Sequence, residues 1–255
     1  MTVKRVALMQ PHYLPYIGYF QIMSMVDEFY YFTDVQFERQ SWQCRNRIRM
    51  PARRALREDG ALEQGDGELW LRVPWIHVPL RTEQGKIYNI RIANYGPWRQ
   101  NHLASIEAFY KKSPFFDLYW SDLEEIYFKE WHKLAELNIA LLEGFFRPHL
   151  EITTPTLNEL ELPYDRDVDK TQRLINFCDA VGAKTFVEPG GGRHIFDVEM
   201  FKSAGLEMKF FDYKPLVYKQ LWGGPFLYNM SVLDAMFCLG PELRTKLREV
   251  EVMRE

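Results

Sequence analysis

The chain has few cysteines, no long hydrophobic run and no large excess of charge of either sign. Its three cysteines, Cys44, Cys178 and Cys238, are odd in number and far apart, so we expect reduced thiols in a cytoplasmic protein. No run of about 18 apolar residues exists, and no apolar segment with a cleavage site follows Arg5, so neither membrane insertion nor a signal peptide is predicted. Lys and Arg number 32 against 35 Asp and Glu, which argues against nucleic-acid binding through bulk electrostatics.

Aromatic residues are the abundant class, at 15% of the chain with seven Trp and fourteen Tyr. Part of this content builds core, but Tyr and Trp also line sites that hold planar or sugar-like ligands. Four histidines are scattered without the spacing of metal ligands, namely His77, His102, His132 and His149. We therefore predict neither a metal nor a cofactor, and we expect a small-molecule substrate.

Short apolar runs alternate along the chain with segments of helical spacing. A chain of 255 residues that is 47% hydrophobic can bury a full core, and we interpret residues 1–255 as one α/β domain. The alternation predicts a three-layer fold in which helices cover both faces of a mostly parallel sheet. A helical segment at about 98–146 is predicted to be inserted between two α/β halves, and Ile87–Ile92 alternates like a strand.

Capping residues mark two helices in the second half of the chain. Asp167 or Asp169 suits the N-cap of a helix that ends at Gly182, because Asp accepts bonds from free backbone amides and Gly adopts left-handed conformations. Ser231 suits the N-cap of a later helix. We expect both helices to begin and end at these positions.

The most informative segment is Met9–Phe20, a loop between a predicted strand and a predicted helix. Pro11 and Pro15 restrict its backbone, and Gly18 permits the close approach of a ligand or of another backbone. Open α/β sheets bind ligands at the carboxyl ends of their strands, where this loop lies. Its side chains are therefore candidates for a site: Gln10, His12, Tyr13, Tyr16 and Tyr19. The alternative is a stiff structural turn.

Three residues are candidates for catalysis. His12 is the leading one, since an imidazole titrates near neutral pH; the alternative is a ring that hydrogen-bonds a neighbouring carbonyl. Asp34 ends the second predicted strand at the same sheet edge, where its carboxylate can orient His12 or simply cap a turn. His194 follows three glycines whose backbone amides can cradle an anion, although glycine runs also serve plain turns.

A polar cluster comprises Trp42, Arg45, Asn46 and Arg47. Two guanidinium groups and a carboxamide beside an aromatic face suit a carboxylate, a phosphate or a diphosphate. The alternative is a solvated strand in which one arginine pairs with Glu38 or Asp34. Cys44 lies among them, and we expect the neighbouring positive charge to lower the pKa of its thiol and favour the thiolate; a small core residue is the alternative.

Several motifs resemble the WbqC-like family, over residues 6 to about 240. They are Met9–Phe20, Asp34-Val-Gln-Phe37, Trp42 with Arg45-Asn-Arg-Ile48, Cys178–Ala183, Tyr218-Lys-Gln220 and Met230-Ser-Val-Leu-Asp234. The resemblance adds four candidate substrate-binding residues: Tyr218, Gln220, Ser231 and Asp234. It implies bacterial biosynthesis and the acylation or aminoacylation of an amine. The chain departs from the family pattern in two places: Cys44 stands where the family has Asn, and Gly190-Gly-Gly-Arg-His194 replaces a more variable turn that contains Gly.

A looser resemblance is to nucleotidylyltransferases of the HUP type. These enzymes carry His-x-Gly-His at the start of their first helix, where this chain has Tyr16-Ile-Gly-Tyr19. The resemblance implies a shared architecture, with a helix start near Ser231 that suits phosphate. A neutral phenol lacks the positive charge that an imidazolium offers a departing pyrophosphate, so nucleotidyl transfer is predicted to be lost.

Three functions stay open on the sequence. The leading one is an enzyme of small-molecule or surface-polysaccharide biosynthesis that transfers an acyl or aminoacyl group from an activated donor or carrier to an amine, with His12 as base. The second is a degenerate nucleotidylyltransferase-like protein that binds a nucleotide or nucleotide-sugar. The third is a non-catalytic ligand-binding protein. The sequence does not indicate an oligomeric state.

Overall fold

The computed structural model describes residues 3–52, 54–56, 62–64 and 67–249. The strands in chain order are Arg5–Met9 (β1), Glu28–Tyr31 (β2), Arg45–Arg49 (β3), Arg54–Leu56 (β4), Leu62–Gln64 (β5), Glu68–Arg72 (β6), Thr156–Asn158 (β7), Thr185–Pro189 (β8) and Glu207–Phe211 (β9).

The helices begin and end as follows: Ile17–Met25 (α1), Trp98–Tyr110 (α2), Phe116–Phe128 (α3), Leu134–Leu141 (α4), Arg147–Leu150 (α5), Lys170–Val181 (α6), Val198–Ser203 (α7), Val232–Leu239 (α8) and Glu242–Glu249 (α9). A π-helical segment, Leu142–Phe146, joins α4 to α5. The predicted caps are confirmed at α6, where the Asp169 side chain accepts from two backbone amides and Gly182 has φ +67°. Within these ranges no helix has both the length and the apolar character needed to cross a membrane.

Five strands form a central sheet in which every neighbouring pair is parallel. Their order across the sheet is β7-β2-β1-β8-β9, which counted along the chain is 3-2-1-4-5. In register, Val6 of β1 lies opposite Glu28 of β2 and Phe186 of β8. The connections therefore reverse direction between β1 and β8.

Alternate residues of the strands face two hydrophobic cores. Ala7 and Met9 of β1 face the larger core, which also contains side chains of α1, α2, α3, α4, α8 and α9. Val6 and Leu8 face the smaller core, formed with α6 and α7. Helices thus cover both faces of a parallel sheet, and the predicted three-layer α/β fold is confirmed.

The part of the chain between β2 and α2 is less regular than predicted. Strands β3 and β6 form an antiparallel ribbon outside the central sheet, as do β4 and β5. The predicted strand at Ile87–Ile92 is wrong: Ile87–Asn89 is a 3-10 turn, and Ile92 makes one isolated bridge, to Trp75. The backbone amide of Ile87 donates to the Val35 carbonyl at 2.9 Å. The backbone of Ile87 is thus paired with the segment after β2 and not with a neighbouring strand of a sheet.

Candidate functional site at the carboxyl edge of the sheet

The predicted site segments meet at one edge of the sheet. Since all five strands are parallel, the segments after β1, β2 and β8 leave the sheet at its carboxyl edge. The centre of this edge lies between β1 and β8, where the strand order reverses and where open α/β sheets bind ligands. Gln10 and His12 follow β1 there, and the 3-10 turn Gly190–His194 follows β8.

The loop between β1 and α1 is anchored by side-chain amides of other elements. Asn138 of α4 is fully buried and donates to the carbonyls of Pro11, at 2.9 Å, and Gln43, at 2.7 Å. The Asn46 amide donates to the Leu14 carbonyl at 2.5 Å. Leu14 has φ +45°, a left-handed conformation that costs about 1–3 kcal/mol and persists only where its surroundings enforce it. These bonds hold the loop in one shape.

Three of the predicted substrate-binding residues, Tyr13, Tyr19 and Asn46, are core residues instead. Tyr13 is fully buried, and its hydroxyl is 2.7 Å from Nδ1 of His102. Tyr19 is fully buried as well and donates to the Gln10 carbonyl at 3.2 Å. Asn46 is 1% exposed. The reason is tertiary, because helices after residue 98 close over a loop that the sequence places at a strand end.

His12 keeps a free nitrogen at this edge. Its ring packs against Tyr19 with the ring centroids 5.1 Å apart. Nδ1 is buried, and no hydrogen bond from another described residue reaches it. Burial lowers the pKa of the imidazole to about 4, so the ring is neutral at pH 7. The arrangement suits a proton acceptor, and Nδ1 makes no bond to a neighbouring carbonyl.

Gln10 and Tyr16 are partly exposed on the loop, and Gly18 is buried in the first turn of α1. Gln10 accepts a hydrogen bond at Oε1 from Nε2 of Gln43, at 2.5 Å, and remains partly exposed. Tyr16 packs edge-on against Tyr213 with centroids 5.2 Å apart. A Cβ atom at Gly18 would lie 2.8 Å from the Tyr213 ring and closer still to that of Tyr16. The glycine therefore admits two aromatic rings, and its predicted contact with substrate stays a prediction.

Asp34 lies at the same edge but binds cations rather than His12. Lys86 Nζ is 2.5 Å from Oδ1, and Arg173 Nη2 is 3.3 Å from Oδ2. The backbone amide of Asp34 donates to the fully buried Glu159 carboxylate at 3.0 Å. These contacts link the ends of β2 and β7 to α6. They leave the predicted carboxylate–imidazole pair without support, because the carboxylate is taken up by guanidinium and ammonium groups.

Arg45 and Arg47 lie on β3 and Trp42 lies just before it, and all three surround Trp70 of β6. The two indole rings are stacked, with centroids 6.0 Å apart and planes 27° apart. The guanidinium of Arg45 is 4.5 Å from the Trp70 centroid and that of Arg47 is 5.3 Å from it. Arg47 also pairs with an acid, at 2.6 Å, but the acid is Glu68 rather than the predicted Glu38 or Asp34. Trp70 was missed because its segment has the apolar pattern of an ordinary strand.

The predicted thiolate at Cys44 is wrong. The residue is fully buried. Burial raises the pKa of its thiol, and this effect outweighs the opposite effect of the Arg72 and Arg45 charges. The alternative of a small core residue is therefore the better interpretation of Cys44.

Tyr218, Gln220, Ser231 and Asp234 also come together, but as a buried network. The Asp234 carboxylate is fully buried and accepts from Tyr110 Oη at 2.8 Å, Tyr218 Oη at 2.6 Å and Gln220 Nε2 at 2.9 Å. Burial raises the pKa of this carboxyl, against the effect of these bonds. Ser231 caps α8 as predicted. The network fastens the segment after β9 to α8 and α2, and its buried members have no surface for a substrate.

Glu188, near the end of β8, is a candidate that no sequence motif indicated. Burial raises the pKa of its carboxyl to about 8, so at pH 7 the group is mostly protonated. The side chain packs under the glycine turn, since a Cβ atom at Gly192 would lie 2.7 Å from Glu188 Cγ. An acid that ends an apolar strand directly before Pro189 is the signal that was overlooked. His194, by contrast, is exposed at the end of the turn.

The fold and the edge define a class of protein: a three-layer α/β protein whose candidate site lies where the order of its parallel strands reverses. The imidazole of His12 is neutral after β1, the carboxyl group of Glu188 is protonated near the end of β8, and the β3–β6 ribbon carries arginines beside two stacked indoles. In the part of the chain that the structure describes, no group of three or more His, Cys, Asp or Glu residues can hold a metal ion.

Comparison with known proteins gives the family. The sequence model of the WbqC-like protein family matches residues 10–246. A relative from Mycobacterium tuberculosis (strain ATCC 25618 / H37Rv), named uncharacterized protein Rv1507c, is 31% identical over 250 residues, which cover 96% of this chain and 98% of the relative. No solved structure matches the chain significantly. The chain belongs to the WbqC-like family, and the resemblance inferred from its motifs is confirmed.

Proposed function

We propose that the protein is a biosynthetic enzyme that transfers an acyl or aminoacyl group from an activated donor to an amine, with His12 as the proton acceptor. The observation that supports this most is the unpartnered Nδ1 of His12. Asn138 and Asn46 anchor the loop, so the imidazole is not what holds it in shape. A buried polar atom without a partner costs about 1–3 kcal/mol, and such atoms in native proteins call for a functional explanation.

The chemistry requires one proton to leave the amine. The amine nitrogen attacks the acyl carbon, the new C–N bond forms, and the bond from that carbon to the donor's leaving group breaks. The proton released by the nitrogen passes to His12. Because the pKa of His12 is lowered to about 4, the ring is unprotonated before the reaction. A negatively charged donor bound nearby favours the imidazolium and raises this pKa toward neutrality, so donor binding strengthens the base.

The surface that remains for substrates is smaller than the sequence predicted. Gln10, Tyr16, Trp42 and Arg45 are partly exposed and lie around the loop and the ribbon. Arg45 supplies positive charge for the anionic part of the donor, while Trp42 and Tyr16 supply aromatic surface. The buried residues Tyr13, Tyr19 and Asn46 support this surface from below.

The test is amide formation by the purified protein. Acyl thioesters, acyl phosphates and aminoacyl adenylates would be offered as donors to amino sugars and other amines, with mass spectrometry of the products. We expect His12→Ala to lower turnover by about 10²–10⁴, the usual contribution of a general base. His132→Ala, which removes an exposed histidine in the segment between α3 and α4, is the matched control and should be silent.

The melting temperature separates a catalytic from a structural role of His12. If the imidazole is catalytic, substitution of His12 by alanine should leave the melting temperature nearly unchanged. If His12→Ala instead lowers the melting temperature by many degrees and leaves turnover intact, the assignment fails. A protein that binds donors without ever forming an amide would be a ligand-binding protein instead.

A second candidate, binding of a nucleotide or nucleotide-sugar by a degenerate nucleotidylyltransferase-like protein, is favoured by the strand order. The order 3-2-1-4-5 matches the first five strands of the doubly wound nucleotide-binding sheets. Burial raises the pKa of Tyr19 far above its usual value, so its phenol stays neutral and gives a pyrophosphate no positive charge. We expect no pyrophosphate release from nucleoside triphosphates. Steady release that disappears in Tyr19→Phe would favour nucleotidyl transfer over amide formation.

A further inference from the structure

The β3–β6 ribbon carries an unusual concentration of positive charge on one face. In the register of the ribbon, Arg45 lies directly opposite Arg72, and Arg49 directly opposite Glu68. Residues directly opposite each other, and those two positions further along, share one face of an antiparallel pair. This face thus presents the guanidinium groups of Arg45, Arg47, Arg49 and Arg72 against the one carboxylate of Glu68. The whole chain, with a net charge of −3, has no such bias.

Two of these arginines already bind other groups of the protein. Arg47 pairs with Glu68 at 2.6 Å and donates to the Tyr228 carbonyl at 3.2 Å. Arg49 donates to the Gly223 carbonyl. Both therefore fasten the ribbon to the segment after β9. Their guanidinium groups are already bonded, so a ligand could bind them only by breaking these bonds.

Arg45 and Arg72 have no such partner. Among the described residues, no carboxylate lies within ion-pair distance of either guanidinium group. Arg45 lies over the Trp70 ring, and Arg72 is exposed. Like charges directly opposite each other on two strands are destabilising, by roughly 0.2–1 kcal/mol. A pair that lowers stability and has no internal counter-charge is readily explained by an anion that binds between the two groups.

We propose that Arg45 and Arg72 bind the phosphate group of a phosphorylated ligand, and that the ligand's planar part lies on the neighbouring indoles. A phosphate monoester carries about −1.5 to −2 charges at pH 7, which matches two guanidinium groups, whereas a carboxylate matches one. The planar fork of arginine also pairs with two phosphate oxygens at once. Trp70 is 39% exposed and stacks with Trp42, so a flat ring can extend this stack beside the phosphate.

This inference rests on the proposed function and makes it more specific. The phosphorylated ligand would be the activated donor of the transfer. It replaces Arg47 by Arg72 in the predicted anion site, since Arg47 is already paired. Binding can be measured without an acceptor amine, so the inference and the proposed transfer can fail separately. Phosphate binding in a protein that forms no amide would leave the inference standing and remove the proposed transfer.

The experiment is calorimetric titration of the full chain with ADP, ribose 5-phosphate, inorganic phosphate and succinate. We expect ADP to bind most tightly, and ribose 5-phosphate and inorganic phosphate to bind through the arginines alone. R45Q and R72Q should each weaken ADP binding by about 10-fold or more, as expected for the loss of a charge-assisted pair. R72K should retain part of the affinity. R91Q, an exposed arginine outside the ribbon, is the matched control and should bind as the parent does.

The Trp70→Ala variant tests the planar part of the ligand. It should weaken ADP binding by about 10-fold, in the range of stacking on an aromatic side chain, while ribose 5-phosphate binding stays the same. Three results would overturn the inference: no phosphate compound binds, succinate binds as tightly as the phosphates, or R72Q binds ADP unchanged. Because Arg72 is exposed, R72Q should fold even if R45Q does not, and the comparison stays decisive.

Discussion

Glu188→Gln tests whether the carboxyl group at the end of β8 is held protonated. Burial raises the pKa of Glu188 from 4.5 to about 8 in the folded protein. The folded state therefore binds this proton more tightly than the unfolded state does. The stability that the group contributes in its neutral form is fully present below about pH 4.5 and is lost as the pH rises through about 8. Glutamine keeps the shape of the neutral acid and cannot ionise, so the variant avoids this loss.

The size of the effect follows from the two pKa values. Each pKa unit corresponds to about 1.4 kcal/mol, so the interval from 4.5 to about 8 amounts to at most about 5 kcal/mol. Glu188 is partly exposed and water screens its charge, so we expect about 2–3 kcal/mol. Relative to the parent protein, Glu188→Gln should gain that much stability between about pH 5 and about pH 9.

Urea unfolding at a series of pH values measures this difference directly. The parent, Glu188→Gln and Glu161→Gln would be compared, since Glu161 is an exposed glutamate whose loss should leave the pH dependence of the parent unchanged. The slope of the unfolding free energy against urea concentration should be the same for all three proteins. A stability difference between the parent and Glu188→Gln that is flat from about pH 5 to about pH 9 would refute the assignment of a protonated carboxyl.

Three further predictions concern the loop and the thiols. Asn138→Ala should lower the free energy of unfolding by about 2 kcal/mol, because it leaves two buried carbonyls unpaired; unchanged urea unfolding would contradict this. Gly18→Ala should lower the melting temperature, because its Cβ would meet the rings of Tyr16 and Tyr213; an equal or higher value would mean that these rings move freely. Cys44 should react with a thiol reagent at about pH 8 at least 10-fold more slowly in the folded than in the urea-unfolded protein, since the thiol is buried and burial raises its pKa. Peptide mapping by mass spectrometry measures the labelling of Cys44. Rapid labelling in the folded protein would show that the thiol is accessible.

The fold class and several helix ends could be predicted from the sequence, because they depend on short-range signals. Apolar runs of strand length that alternate with helical spacing lead to a parallel sheet between helices. Asp169 and Ser231 act on backbone amides two or three residues away, so their capping roles follow from local chemistry alone. The placement of the loop after β1 at the carboxyl edge follows in the same way, since any segment after a parallel strand must leave the sheet there.

The site depended on contacts between residues far apart in the chain. Asp34 was expected to face His12, but Arg173, which is 139 residues further on, occupies its carboxylate. A pattern of polar and aromatic residues does not reveal which of them a later helix will cover, as happened at Tyr13. The sequence by itself therefore determined the architecture and which segments leave the sheet at its carboxyl edge. Burial decided the protonation of His12 and Glu188, because the free energy of a charge depends on the solvent that the tertiary fold removes.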